Sequence, residues 1–228
     1  MTASGFALGR VERLTLRDRA LETLRQAILD GDLVPGRRLT EVKLSEELHV
    51  SRGTVREAVL RLAQEHLVVI TARHGVEVRR LSAQELLDIY AVRGELEGLA
   101  ARLAAKGTGI HTKLVLTERV DRMEASKTRP FLEQLAADIA FHEAICELSE
   151  NDWLLATWRL LSGPIRGALV SAGPQLVQPC QTLAHHRRVA EAIIAGNAEE
   201  AAAILVAHLH ASAEVQAAGM RLRQQNGE

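Results

Sequence analysis

The run from Leu44 to Leu62, LSEELHVSRGTVREAVLRL, constrains the fold of this chain more than any other segment. Leu44 and Leu48 stand one helical turn apart, so a helix over Glu41 to Leu48 turns both toward a core, with Thr40 available as its N-cap. His49-Val50 makes a turn. Ser51 then caps a second helix from Arg52 to about Glu65, in which Val55, Val59 and Leu62 form the inward stripe. This leaves Arg52, Thr54 and Arg56 near the exposed N-terminal end of that helix. A helix of this size fits the major groove of DNA, where arginine bonds to guanine edges or phosphate oxygens. Arg52 and Arg56 are the leading contacts, Thr54 supports them, and Gly53 has no side chain to prevent close approach. An ordinary charged helix surface is the competing reading of the same residues.

The flanks extend this pattern. Leu21, Leu24, Ile28 and Leu29 repeat at helical spacing within Leu16 to Leu29, and GDLVPGRRL (Gly31 to Leu39) breaks that helix. Val68 to Thr71 and Val76 to Val78 read as two short strands joined through Ala72-Arg73-His74-Gly75, with Gly75 supplying unusual backbone angles. Such a hairpin is a wing, and Arg73 and His74 at its tip can reach phosphates or the minor groove; a histidine in a turn is otherwise simply solvated. Residues 1–80 carry 14 Lys+Arg against 11 Asp+Glu, a formal +3, whereas residues 81–228 carry 14 against 18. The basic excess thus lies with the DNA reader, although local geometry has to carry the case.

Gly31, Pro35-Gly36, Leu39, Glu41, Leu44, Val50-Ser51-Arg52, Val55-Arg56-Glu57-Ala58 and Gly75 stand in the order found in one bacterial family. The segment resembles the winged helix-turn-helix of the GntR family of transcription regulators, which sets the expected reader at residues 10–80. The resemblance implies that Arg52, Thr54, Arg56 and the wing pair His74-Gly75 meet an operator. Val42 stands where many members carry arginine, and Gly53-Thr54 replaces a frequent Thr-Pro pair, so the resemblance also implies a different operator preference.

The remaining residues, 81–228, read as helices. Aromatic residues make up only 3% of the chain, alanine and leucine abound, and strand-like alternation is scarce. Ser82-Ala83-Gln84-Glu85 has the form of a capping box opening a helix to about Ala105. Further helices are expected near 111–126, 130–149, 151–171, 181–195 and 197–215, which makes an antiparallel helical bundle. Asp138 and His142 are i,i+4 and share a helix face, while His186 and His208 fall on two later helices. One carboxylate and three imidazoles suit zinc, nickel, manganese or a related divalent ion. Scattered polar or core histidines are the alternative, because spacing does not establish convergence.

Residues 82–215 resemble the FCD effector domain of the FadR-like branch of the same family. The residues that carry this resemblance are Arg93 and Glu97, Asp138 to His142, Asn151, His186 with Ala192-Ile193, and His208. The resemblance implies a metal held by Asp138, His142, His186 and His208, with His185 and His210 as neighbours instead of ligands. It also implies a small organic acid in the cavity. Arg93 either orients that acid or braces Glu97. Arg166 is a second effector candidate, with a solvated arginine as its alternative.

The expectation is therefore a mainly α chain, a winged helix-turn-helix followed by an all-helical FCD-type bundle. It would act as a homodimeric operator-binding regulator, usually a repressor in this family, and not as an enzyme. A metal-dependent hydrolase centre and a constitutive DNA binder are the competing functions. No stretch of 18 uncharged apolar residues suggests a membrane span, and the N-terminus does not read as a secretion signal. Two cysteines, Cys146 and Cys180, make no disulfide framework, which points to a cytoplasmic setting.

Overall fold

The computed structural model describes residues 15–71, 75–107, 109–177 and 182–225. Arg73 and His74 of the predicted wing tip, Cys180, and residues 10–14 of the predicted reader lie outside the described residues.

Helix α1 (Leu16–Leu29) begins at a capping box, in which Thr15 and Asp18 satisfy each other's backbone amides. Strand β1 (Arg38–Leu39), α2 (Glu41–Glu47) and α3 (Arg52–Gln64) follow, the two helices capped by Thr40 and Ser51. His49 turns the chain between them with a φ of 53°. Strands β2 (Val68–Thr71) and β3 (Gly75–Val78) pair antiparallel, with Val68 opposite Val78 and Thr71 opposite Gly75. β1 adds to the far edge of β3, giving the order β1-β3-β2. A two-residue strand has no alternation to detect, so β1 is the element that the sequence pattern does not announce. Leu24, Ile28, Leu44, Val55, Val59, Leu62, Val68 and Val78 close one apolar core.

The second core belongs to six helices: α4 (Ala83–Ala104), α5 (Ile110–Ser126), α6 (Phe131–Leu148), α7 (Asp152–Ala172), α8 (Leu183–Ile194) and α9 (Ala198–Gln225). α9 runs about ten residues past its expected end, because the alanines and arginines beyond residue 215 are strong helix formers. α4 lies along α9 at close range. A Cβ added at Gly98 would stand 3.0 Å from Val206 Cγ2, so glycine there admits the approach. No helix among the described residues is long and apolar enough to cross a membrane.

The two cores touch through α7. Gly31 follows α1 with a φ of 85°, and a Cβ there would come within 2.8 Å of Val170 Cγ1 on α7. Two turns earlier on α7, Gly163 accepts Leu67 from the reader, again at a distance a larger residue would disturb. Pro164 sits between these contacts, buried inside the helix.

Candidate functional site

The reader surface is set by its caps. The Ser51 hydroxyl accepts the Thr54 amide at 3.1 Å and lies 2.9 Å from the Thr54 hydroxyl, so Thr54 helps fix the start of α3. Arg52 and Gly53 are exposed at that end. Arg56 differs: its guanidinium grips Glu41 of α2 through two hydrogen bonds, at 2.9 and 2.7 Å. This pair is solvent-exposed and weak in stability, but it orients Arg56 across the surface between α2 and α3. Arg52 makes no ion pair among the described residues. Gly75 begins β3 at a φ of 70°, the left-handed region expected for it, and Val42 is exposed on α2.

In the bundle, the histidines converge. His142, His186 and His208 offer ring nitrogens that all lie within 4.8 Å of one another. Asp138, one turn before His142 on α6, places Oδ1 3.2 Å from His186 Nε2 and Oδ2 4.0 Å from His142 Nε2. The two Nε2 atoms of His142 and His186 are themselves 3.2 Å apart. Their outer nitrogens are spoken for: His142 Nδ1 lies 2.6 Å from Glu97 Oε2, and His186 Nδ1 lies 2.8 Å from the Thr182 carbonyl oxygen. A carboxylate and a carbonyl only accept, so each Nδ1 carries its proton, and each ring, in its neutral form, turns an Nε2 lone pair inward. Lone pairs and a carboxylate therefore meet in one small volume. A proton can satisfy one such pair; a cation satisfies all of them. Zinc bonds of about 2.0–2.1 Å at tetrahedral angles put donor atoms about 3.3–3.4 Å apart, which the 3.2 Å spacings match closely. The donor set fits a divalent metal.

Burial makes this centre electrostatically demanding. Glu97 is 0% and Arg93 4% exposed, and Arg93 Nε donates to Glu97 Oε1 at 2.5 Å. Trp158 Nε1 donates to the same oxygen at 2.6 Å. Burial pushes the Glu97 carboxyl up, but Arg93, His142 and the hydrogen bonds of His142 and Trp158 outweigh it and hold it at about 2. Burial dominates at His208 and holds it down at about 3, helped by the neighbouring imidazoles. Burial also lowers His142 against the pull of Glu97. These two histidines are thus neutral at neutral pH, the form that ligates metal.

A cavity of about 760 Å³ opens beside this centre, lined by Tyr90, Arg93, Asp138, His142 and His208, and by apolar residues of α7, α9 and the segment after α7. His185 is exposed at its wall, with its ring 5.8 Å from that of His208, and His210 is exposed on α9. Both stand outside the nitrogen cluster, as neighbours. Arg93 braces Glu97 and also lines the cavity. Arg166 does not reach the cavity. Its Nε donates to the Leu29 carbonyl at 3.1 Å and its Nη2 to Asp30 at 3.2 Å, so the arginine taken as an effector contact instead ties α7 to the end of α1. Asn151 caps α7, its Oδ1 accepting the Leu154 amide at 3.1 Å.

Sequence reasoning missed the clamp of Glu97 on His142 and the contribution of Trp158. The i,i+4 spacing signals the Arg93–Glu97 pair, but nothing local connects Glu97 to residues 45 and 61 positions away.

Comparison with known proteins bears on both halves. Residues 16–78 match the family described as bacterial regulatory proteins, gntR family, and residues 88–211 match the FCD domain. The Nta operon transcriptional regulator of Aminobacter aminovorans is 33% identical over 177 residues, covering 77% of this chain and 82% of that protein. A probable D-xylose utilization operon transcriptional repressor of Paenarthrobacter nicotinovorans is 29% identical over 203 residues, covering 89% of each. The crystal structure of a GntR transcriptional regulator from Rhodococcus sp. RHA1 superposes with a TM-score of 0.72 at 26% identity, covering 87% of this chain and 96% of that one.

Proposed function

Because the chain belongs to the gntR family of bacterial regulatory proteins and carries an FCD domain, we propose that it is a repressor whose hold on operator DNA is altered by a small organic acid. Family identity points to a DNA-binding transcription regulator and not to an enzyme. In this reading residues 10–80 read DNA, and residues 81–228 bind metal and effector and join two copies. A two-fold dimer then meets related half-sites. The D-xylose relative, described as a repressor, supports the sign of regulation.

The observation that carries the reading is that α7 serves both halves. Leu169 lines the cavity, Trp158 holds the Glu97 that orients His142, and Arg166 grips the end of α1. Asp138, His142, His186 and His208 would hold the metal, zinc or nickel before manganese, and the ion would supply positive charge for a ligand carboxylate. Glu97 fixes the ring of His142, and Arg93 stands at the wall to orient an acid. An acid that binds the DNA-competent and incompetent arrangements unequally shifts the balance between them.

Operator sites selected from random duplex DNA test the reader. Arg52→Ala is expected to weaken the selected complex about five- to 150-fold, corresponding to about 1–3 kcal/mol for a base contact. The loss at Arg56 should be smaller, since Arg56 must exchange Glu41 for DNA. Unchanged affinity of the Arg52 variant at physiological salt would remove α3 from the interface.

A second test concerns transmission. Arg166→Ala is expected to leave ligand affinity and metal content unchanged while shrinking the ligand's effect on operator affinity severalfold. Coupling free energies of about 1–3 kcal/mol leave room for such a loss. An unaltered ratio of operator affinities with and without ligand would show that the α7–α1 contact transmits nothing.

A further inference from the structure

The cavity is larger and more apolar than a two- to four-carbon acid requires. At about 30 Å³ per water-sized group, its volume of about 760 Å³ holds roughly twenty-five such groups. The wall formed by α9 runs from Ala203 to Gln216, about 20 Å of helix at 1.5 Å per residue. Along it Ala203, Ala207 and Ala211 recur every four residues on one face, and their small side chains hollow out a trough. Leu169 and Leu176 also line the cavity with apolar surface.

One part of this trough is built for a charge. Arg93 is buried, its Nε is committed to Glu97, and its Nη2 has no hydrogen-bond partner among the described residues. A buried guanidinium nitrogen left without an acceptor is costly, and a carboxylate is the ligand group whose geometry suits it. His142 and His208 of the histidine cluster line the same cavity.

From this pairing of one buried cationic anchor with a long alanine-lined trough, we infer that the effector class is a carboxylate on an extended apolar body of roughly six or more carbons. This rests on the reading of the cavity as the sensor site. The head group meets Arg93 and the metal-binding residues; the body lies along α9 and removes its alanine face from water. Arg188 and His185 of α8 also line the cavity, and the α,ω-dicarboxylate of equal length tests whether Arg188 anchors a second charge.

The test uses the full-length protein loaded with zinc and titrated calorimetrically with straight-chain monocarboxylates from acetate to decanoate, below their aggregation limits. Affinity is expected to rise about fourfold per fully buried methylene, and at least a hundredfold across the series. Ala203→Leu or Ala211→Leu, which fill the trough, should abolish most of that rise while leaving zinc content and acetate affinity intact. Acetate binding with no dependence on chain length would overturn the inference and leave the acid-sensor reading standing. So would tighter binding of the α,ω-dicarboxylate of equal length, or a rise unaffected by both leucine variants. If no acid of either series binds and Arg93→Met changes nothing, the sensor reading itself fails.

Discussion

Glu97→Ala is expected to destabilise the protein by about 3–5 kcal/mol, the range for removing one partner of a buried ion pair. The reason is the number of donors that this carboxylate satisfies. Arg93 Nε, His142 Nδ1 and Trp158 Nε1 all point at it, at 2.5, 2.6 and 2.6 Å, and the first of these carries a full charge at 4% exposure. Alanine takes from that charge its hydrogen-bonded counter-ion and strands two further N–H groups, each of which costs about 1–3 kcal/mol when buried and unpaired. Some relaxation or entry of water offsets part of the total. Urea unfolding of metal-free protein at neutral pH measures the effect without interference from ion binding. Glu97→Gln, which keeps the shape but not the charge, should lose less. The double variant Arg93→Leu with Glu97→Leu should recover most of the stability, because it removes the charge along with its partner. Its metal affinity should nevertheless stay about 10- to 100-fold below the native value, since the ring of His142 is no longer held. A single alanine variant within 0.5 kcal/mol of the native protein would mean that the network is not closed as described.

The second large effect concerns the metal. His186→Ala is expected to reduce bound zinc from about one ion per chain to less than a tenth of that after dialysis, the loss expected when one of three imidazole ligands is removed. His186 is 1% exposed, its Nδ1 is fixed by the Thr182 carbonyl, and its Nε2 faces both Asp138 and His142, so no rotation of a neighbour replaces it. Binding to the folded state alone stabilises by about 4 kcal/mol when free metal is a thousandfold above its dissociation constant. A chelator should therefore lower the thermal midpoint of the native protein and leave that of the variant unmoved. Elemental analysis gives the occupancy and a melting curve gives the linkage. A native protein that holds no zinc after equilibration with it, or a variant that holds as much, would sink the assignment. His208→Ala provides the comparison: at 8% exposure this ring is the most accessible of the three, and its loss should weaken binding without abolishing it.

Much of the reader was legible because its determinants are local. Thr40 and Ser51 cap the helices assigned to them, and Val55, Val59 and Leu62 are buried as their spacing requires. The capping box at Ser82 and Glu85 likewise opens α4 where expected. β1 escaped because a two-residue strand exists only through its partner β3. Arg166 was misplaced for a related cause. Beside Pro164 it has no local pattern, and its acceptor is a carbonyl 137 residues away.

The sequence by itself determined the helices, their caps and which of their residues share a face, because hydrogen bonding and periodicity act over a few positions. It placed Asp138 and His142 one turn apart on α6 for the same reason. Only the tertiary structure decided that α8 and α9 return His186 and His208 to that face, that Glu97 holds His142, and that α7 spans from the cavity to α1. Those relations depend on how helices pack across tens of residues, where side-chain volumes and small residues such as Gly98 set the approach.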